Sequence, residues 1–115
     1  MRKIVRNALY FLILGSLAMQ AQSGRRVQII NRSSSSIEYL HASNSEHPQW
    51  DSDLLGPMRL IAPGRSVDVR IDDGTGHCRY DLRAILLDGR EAEQPDFDVC
   101  ANISWTVNAT ADADN

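Results

Sequence analysis

The side chains of this 115-residue chain that are equipped for chemistry are two cysteines, three histidines, a scatter of turn aspartates, and a few aromatic and arginine residues. Cys78 and Cys100 stand 22 positions apart, and neither has the close-spaced partner of a C-x-x-C metal pair. In an oxidising compartment they are expected to join, closing a loop that stabilises the fold by about 3 kcal/mol in the chain-entropy model. His41, His47 and His77 are the candidate general bases. The chain has no H-E-x-x-H pair and no G-x-S-x-G elbow, and the serine run 33–36 has the composition of a turn. A small hydrolase is therefore the third reading, needing a pocket that joins a histidine to a nucleophile, and an enzyme is not expected.

Asp51, Asp53, Asp72 and Asp73 are the candidate metal ligands, with Asp88, Asp96 and Asp98 in further turns. Calcium takes six to eight oxygens from such loops, but no D-x-[DN]-x-[DN]-G-x5-E pattern is present. A calcium-binding or calcium-stabilised module is the second reading, and no other cofactor is expected. Trp50, Tyr39 and Arg83 are the candidate partner-binding residues, because arginine and aromatic side chains are favoured interface anchors, with a plug of the core as the other and stronger expectation for Trp50. Asp81 and Arg83, two apart on an expected strand, share a face. They form either a surface ion pair or, if Arg83 is left over, a fork for a carboxylate.

The compartment is read from the first residues. Arg2, Lys3 and Arg6 precede an apolar run from Ala8 to Met19, and the small residues Ala21 and Ser23 follow. That order predicts a secretory signal peptide over 1–23, cut after Ala21 or Ser23. The run is short of the roughly 20 residues that cross a bilayer, so no membrane span is expected once it is cut. Removing it leaves nine arginines against fifteen acids, a formal charge of about −6. Such a surface repels phosphate backbones and anionic lipid, so nucleic acid is not an expected partner. The expected location is the periplasm or the medium, and the expected partner is an envelope or extracellular protein. Three N-x-[ST] tripeptides begin at Asn31, Asn102 and Asn108, and they matter only in a glycosylating host.

The elements that must position these residues read as strands. Residues 25–30 and 37–42 alternate on either side of a serine-rich turn and suggest a hairpin. Residues 43–49 read as a loop, with Pro48 barring a central strand position. Pro63-Gly64 marks a tight turn before the clean alternation of 66–71. Residues 77–87 place Cys78, Tyr80, Leu82, Ala84 and Leu86 on one face, and Asp88-Gly89 turns the chain back into 90–93. A last strand follows within 99–107. Cys100 falls on the wrong face of that strand, so the strand is expected to start after it. No helical stripe follows the leader. The fold class is all-β: a small antiparallel β-sandwich or partly open barrel of six to seven strands with one disulfide, spanning 24–109, with a frayed tail at 110–115.

In order along the chain come Trp50-x-x-Asp53, Pro63-Gly64, Cys78-x-Tyr80-Asp81-x-Arg83, Asp88-Gly89 and Asp98-x-Cys100. This series resembles a group of small exported bacterial proteins of unassigned function, over roughly 27–105. The resemblance implies a β-rich, disulfide-linked exported domain and no particular activity. The leading expectation is accordingly a non-enzymatic protein-binding module of the cell envelope.

Overall fold

The computed structural model describes residues 24–108; the expected leader at 1–23 and tail at 110–115 lie outside them. Seven strands follow in chain order: β1 (Arg26–Asn31), β2 (Ile37–Asn44), β3 (His47–Trp50), β4 (Ser66–Arg70), β5 (Arg79–Leu86), β6 (Glu91–Asp98) and β7 (Ser104–Val107). They form a three-stranded sheet, β4-β1-β7, and a four-stranded sheet, β3-β2-β5-β6. The two pack face to face into an unclosed sandwich with one disulfide, Cys78–Cys100. All pairings are antiparallel except β1 with β7, which run parallel.

Alternation decides what enters the core. Val27 and Ile29 on β1 meet Val69 on β4 and Trp105 on β7, while Leu40 and Ala42 on β2 meet Ala84 and Leu82 on β5. Each such valine, leucine or isoleucine side chain taken fully from water stabilises by roughly 1.5–3 kcal/mol. Trp105 belongs to this core at 8% exposure, and Trp50 does not.

The expected hairpin between the first two strands is corrected: β2 pairs with β5 and β3, and β1 with β4 and β7. The serine-rich segment 32–36 is an arch that carries the chain from one sheet to the other. Asn31, with no exposed surface, holds it. Its Nδ2 donates to Ser35 O (2.9 Å) and Ile61 O (2.8 Å), and its Oδ1 accepts from Ser33 N (2.9 Å) and Ser33 Oγ (2.7 Å). In the folded domain both ends of the Asn31 amide are thus occupied.

The turns follow their residues. Arg65 N donates to Ala62 O (3.0 Å) around Pro63 and Gly64, and Gly64 has φ +80°, the conformation a type II turn requires there. Gly89 N donates to Leu86 O (2.9 Å) and Gly89 has φ +92°, which makes the β5–β6 connection a type I turn with a glycine bulge. Segment 43–49, read as a loop, contains the end of β2 and most of β3. Pro48 is tolerated because β3 lies at the sheet edge. The return strand expected over 90–93 extends as β6 to Asp98. The phase conflict at Cys100 resolves as expected, since β7 begins only at Ser104. Ala101 and Ile103 are correspondingly exposed rather than on an inner face.

Candidate functional site

Tyr39, Trp50 and Arg83 come from three strands and lie on one surface, the outer face of the four-stranded sheet. Register puts them there. His41 pairs with Arg83, Tyr39 with Ile85, and Ser43 with both Asp81 and Trp50. Since side chains of paired residues share a face, Tyr39, His41, Trp50, Arg83 and Ile85 form one patch. Tyr39 is 42% exposed, and its ring stacks on His41 with centroids 6.2 Å apart. The Arg83 guanidinium carbon lies 4.2 Å from the centre of a Trp50 ring. An arginine over an indole gains about 0.5–2 kcal/mol from the ring quadrupole, depending on how far it is desolvated.

Asp81 and Arg83 share this face, as their spacing requires, but the surface ion pair is corrected. An Asp81 oxygen accepts Asp96 N at 2.9 Å, holding the bulge where Asp96 has φ +54°. Arg83 leans instead on Trp50, and among the described residues no acceptor binds its guanidinium. Its Nε is enclosed and unpartnered. His41 Nδ1 lies 2.7 Å from Asp51 O, a carbonyl that can only accept, so Nδ1 carries a proton and donates it. The patch therefore offers aromatic rings, a guanidinium without an acceptor among the described residues, and an imidazole.

A second polar cluster lies at the disulfide end, and sequence reasoning missed most of it. Asp73 Oδ2 accepts from Asn44 Nδ2 (2.8 Å), and its Oδ1 accepts from Thr75 Oγ1 (2.6 Å), Thr75 N (3.1 Å) and Tyr80 Oη (2.9 Å). Arg25, at φ +61°, reaches into the same region. It donates to Ile71 O (3.1 Å), to His77 O and to Cys100 Sγ (3.4 Å), and lies 3.6 Å from Asp72. Asp98 Oδ1 accepts from Cys100 N (2.9 Å) and Ala101 N (3.2 Å), so the D-x-C spacing is a capped turn that presents Cys100 to Cys78. These contacts tie the first residues of the domain to its last turn. The cluster is a clasp of mutually satisfied groups.

Hydrogen bonds from Thr75 and then Asn44 hold the Asp73 carboxyl well below the usual carboxylate range. Asp72, bonded by Gly74 N, and Asp88, bonded by Arg90, are lowered as well. A folded-state pKa below the unfolded value stabilises above the unfolded pKa, here near 3.8, and that stability is lost as pH falls through the folded one. Thermal melts between pH 5 and 2 should show stability declining with acid, and Asp73→Asn should flatten that decline. An unchanged slope in the variant would remove Asp73 from the account.

Three of the four candidate metal ligands, Asp53, Asp72 and Asp73, accept hydrogen bonds within the fold. Asp53 Oδ1 accepts from Leu40 N (3.0 Å) and Leu55 N (3.1 Å), and Asp72 bonds Arg70 at 2.9 Å. Asp51 stands apart from them in its hydrogen bonding, and burial pushes its carboxyl up, aided by the charge of Asp73. Among the described residues, the one group of three whose ligand atoms lie within 4.8 Å is Cys78, Asp98 and Cys100, and its sulfurs are joined to each other.

The histidines lie in two places. His41 is on the outer patch, whereas His47 stacks on His77 at 6.0 Å, with His77 Nδ1 3.0 Å from Asn44 Nδ2. Among the described residues no histidine nitrogen is hydrogen-bonded to a serine, and no helix is long and apolar enough to cross a membrane. The chain matches no family model, no curated protein and no solved structure.

Proposed function

We propose that this is an exported, non-enzymatic binding domain that engages a protein of the cell envelope through the outer face of its four-stranded sheet. One observation carries the reading. Arg83 is held over Trp50 with its donors unused among the described residues, on the same face as an exposed tyrosine that stacks on His41. Arg83 is half-buried with no acceptor for its guanidinium among the described residues, and a partner carboxylate docked on its terminal nitrogens would pair with it in bidentate geometry. The disulfide agrees with an oxidising compartment, and periplasmic or secreted residence is the location that fits it. The acid excess turns the domain away from nucleic acid.

Trp50→Ala and Arg83→Ala are the tests. Each should weaken capture of the partner from an envelope extract at least about 30-fold, the scale of an interface hot spot. Each should leave the melting temperature within a few degrees of the parent, because both side chains lie outside the core. Capture undiminished in both variants, or a collapse of stability in either, would contradict the proposal.

A further inference from the structure

Two strand edges face each other across an opening on one side of the sandwich. Among the described residues, β6 is bonded only to β5, and β7 only to β1. Between them lies a groove of about 340 Å³ lined by Glu91–Gln94 and by Trp105–Asn108. Its floor is apolar, with Trp105 and Val107 buried and Ala92 half-buried.

Among the described residues, the backbone along both rims has outward-facing groups without a strand partner. Ile103 O and Val107 O accept from Gln28 N and Arg32 N (2.8 Å each), so those residues turn their main chain towards β1. By strand alternation, Ser104, Thr106 and Asn108 turn theirs into the opening. Across the gap, Leu86 N donates to Arg90 O (2.8 Å) and Ala84 pairs with Ala92, which leaves the main chain of Glu91 and Glu93 facing out. Among the described residues, neither of these glutamates has a cation within 4.0 Å.

We propose that this seam receives one extended segment of a partner protein, basic at alternate positions, which adds as a strand to the free edge of β7. The edge supplies main-chain hydrogen bonds, the groove takes small apolar side chains, and Glu91 and Glu93 select lysine or arginine at the positions between. The charge also argues against the chain's own continuation beyond Asn108, which carries Asp112 and Asp114 and no cation. The seam borders the Trp50–Arg83 patch, since Glu93 pairs with Arg83 and Glu91 with Ile85 on the outer face of the sheet, but main-chain addition to β7 does not rest on what binds that patch.

Amide hydrogen exchange on the full, oxidised protein tests it, with a seven-residue peptide of alternating lysine and valine as the probe. Exchange at Ser104 and Thr106 should slow about tenfold or more when the peptide is bound. The double variant Glu91→Lys, Glu93→Lys should lose that protection and gain it with a glutamate–valine peptide. The neutral pair Glu91→Gln, Glu93→Gln should bind the lysine peptide more weakly and keep the parent melting temperature. No slowing at Ser104 and Thr106 would overturn the proposal. Equal slowing with a proline-interrupted basic peptide would also overturn it, because proline cannot complete the ladder. So would protection already present in the free protein and abolished by Ala111→Pro, which would make the tail the occupant.

Discussion

Replacing Cys78 and Cys100 together by alanine should lower the melting temperature by about 12–24 °C. The chain-entropy model gives about 3 kcal/mol for a loop of this length, and each kcal/mol moves the midpoint of a domain this small by about 4–8 °C. The bond joins the start of β5 to the turn after β6, where Asp98 already caps the chain and Arg25 brings in the beginning of the domain. Its loss therefore loosens the clasp as well as the unfolded-state constraint. Calorimetry on the oxidised parent and the variant measures this, and a shift under about 4 °C would mean the clasp alone holds that end. Below its midpoint the variant should still bind its partner, because the Trp50–Arg83 patch is built by β2, β3 and β5 pairing.

Asn31→Ala should cost about 2–4 kcal/mol, at the upper end of what one buried amide contributes. Ser33 N loses its acceptor inside the protein, and the arch between the sheets loses two donors. Asn31→Asp distinguishes bonding from packing. It keeps the acceptor for Ser33 but sets a carboxylate against the carbonyls of Ser35 and Ile61. Its stability should therefore be lower than the parent's at neutral pH and should recover as acid protonates the new group. Urea titrations at pH 4 and pH 7 measure both, and a loss below about 0.5 kcal/mol for Asn31→Ala would remove the arch from the account.

Much of the fold was legible because its signals are local. The alternation of 66–71 and 77–87, the Pro63-Gly64 and Asp88-Gly89 turns, and the misplaced phase of Cys100 each record a preference that neighbouring residues settle among themselves. The partnering of strands was not legible. Nothing in 25–30 or 37–42 says that the turn between them crosses sheets, and the parallel pairing of β1 with β7 joins residues more than seventy apart. Two buried asparagines did leave a signal. Asn31 continues the inward phase of Val27 and Ile29, and Asn44 continues that of Leu40 and Ala42. A polar residue in an apolar phase marks a buried hydrogen-bonding hub. Arg25 left no such mark, since its role depends on the disulfide turn reaching back to it.

The candidate site was legible in residue type and not in arrangement. Tyr39, Trp50 and Arg83 were singled out as interface side chains, and only the β2–β3 and β2–β5 registers bring them onto one face. The aspartates were legible as turn residues. Their spacing alone does not tell a cap from a ligand, because both uses need an oxygen in a tight loop.

The most direct test of the binding account is site-specific photo-crosslinking in the host envelope. A photoreactive residue replaces Tyr39 on the outer patch or, as the control, Asp68 on the exposed face of the three-stranded sheet. The account predicts one discrete adduct from position 39, lost when Arg83→Glu is added, and none from position 68. Adducts from both positions alike, or an adduct at 39 indifferent to Arg83→Glu, would contradict it.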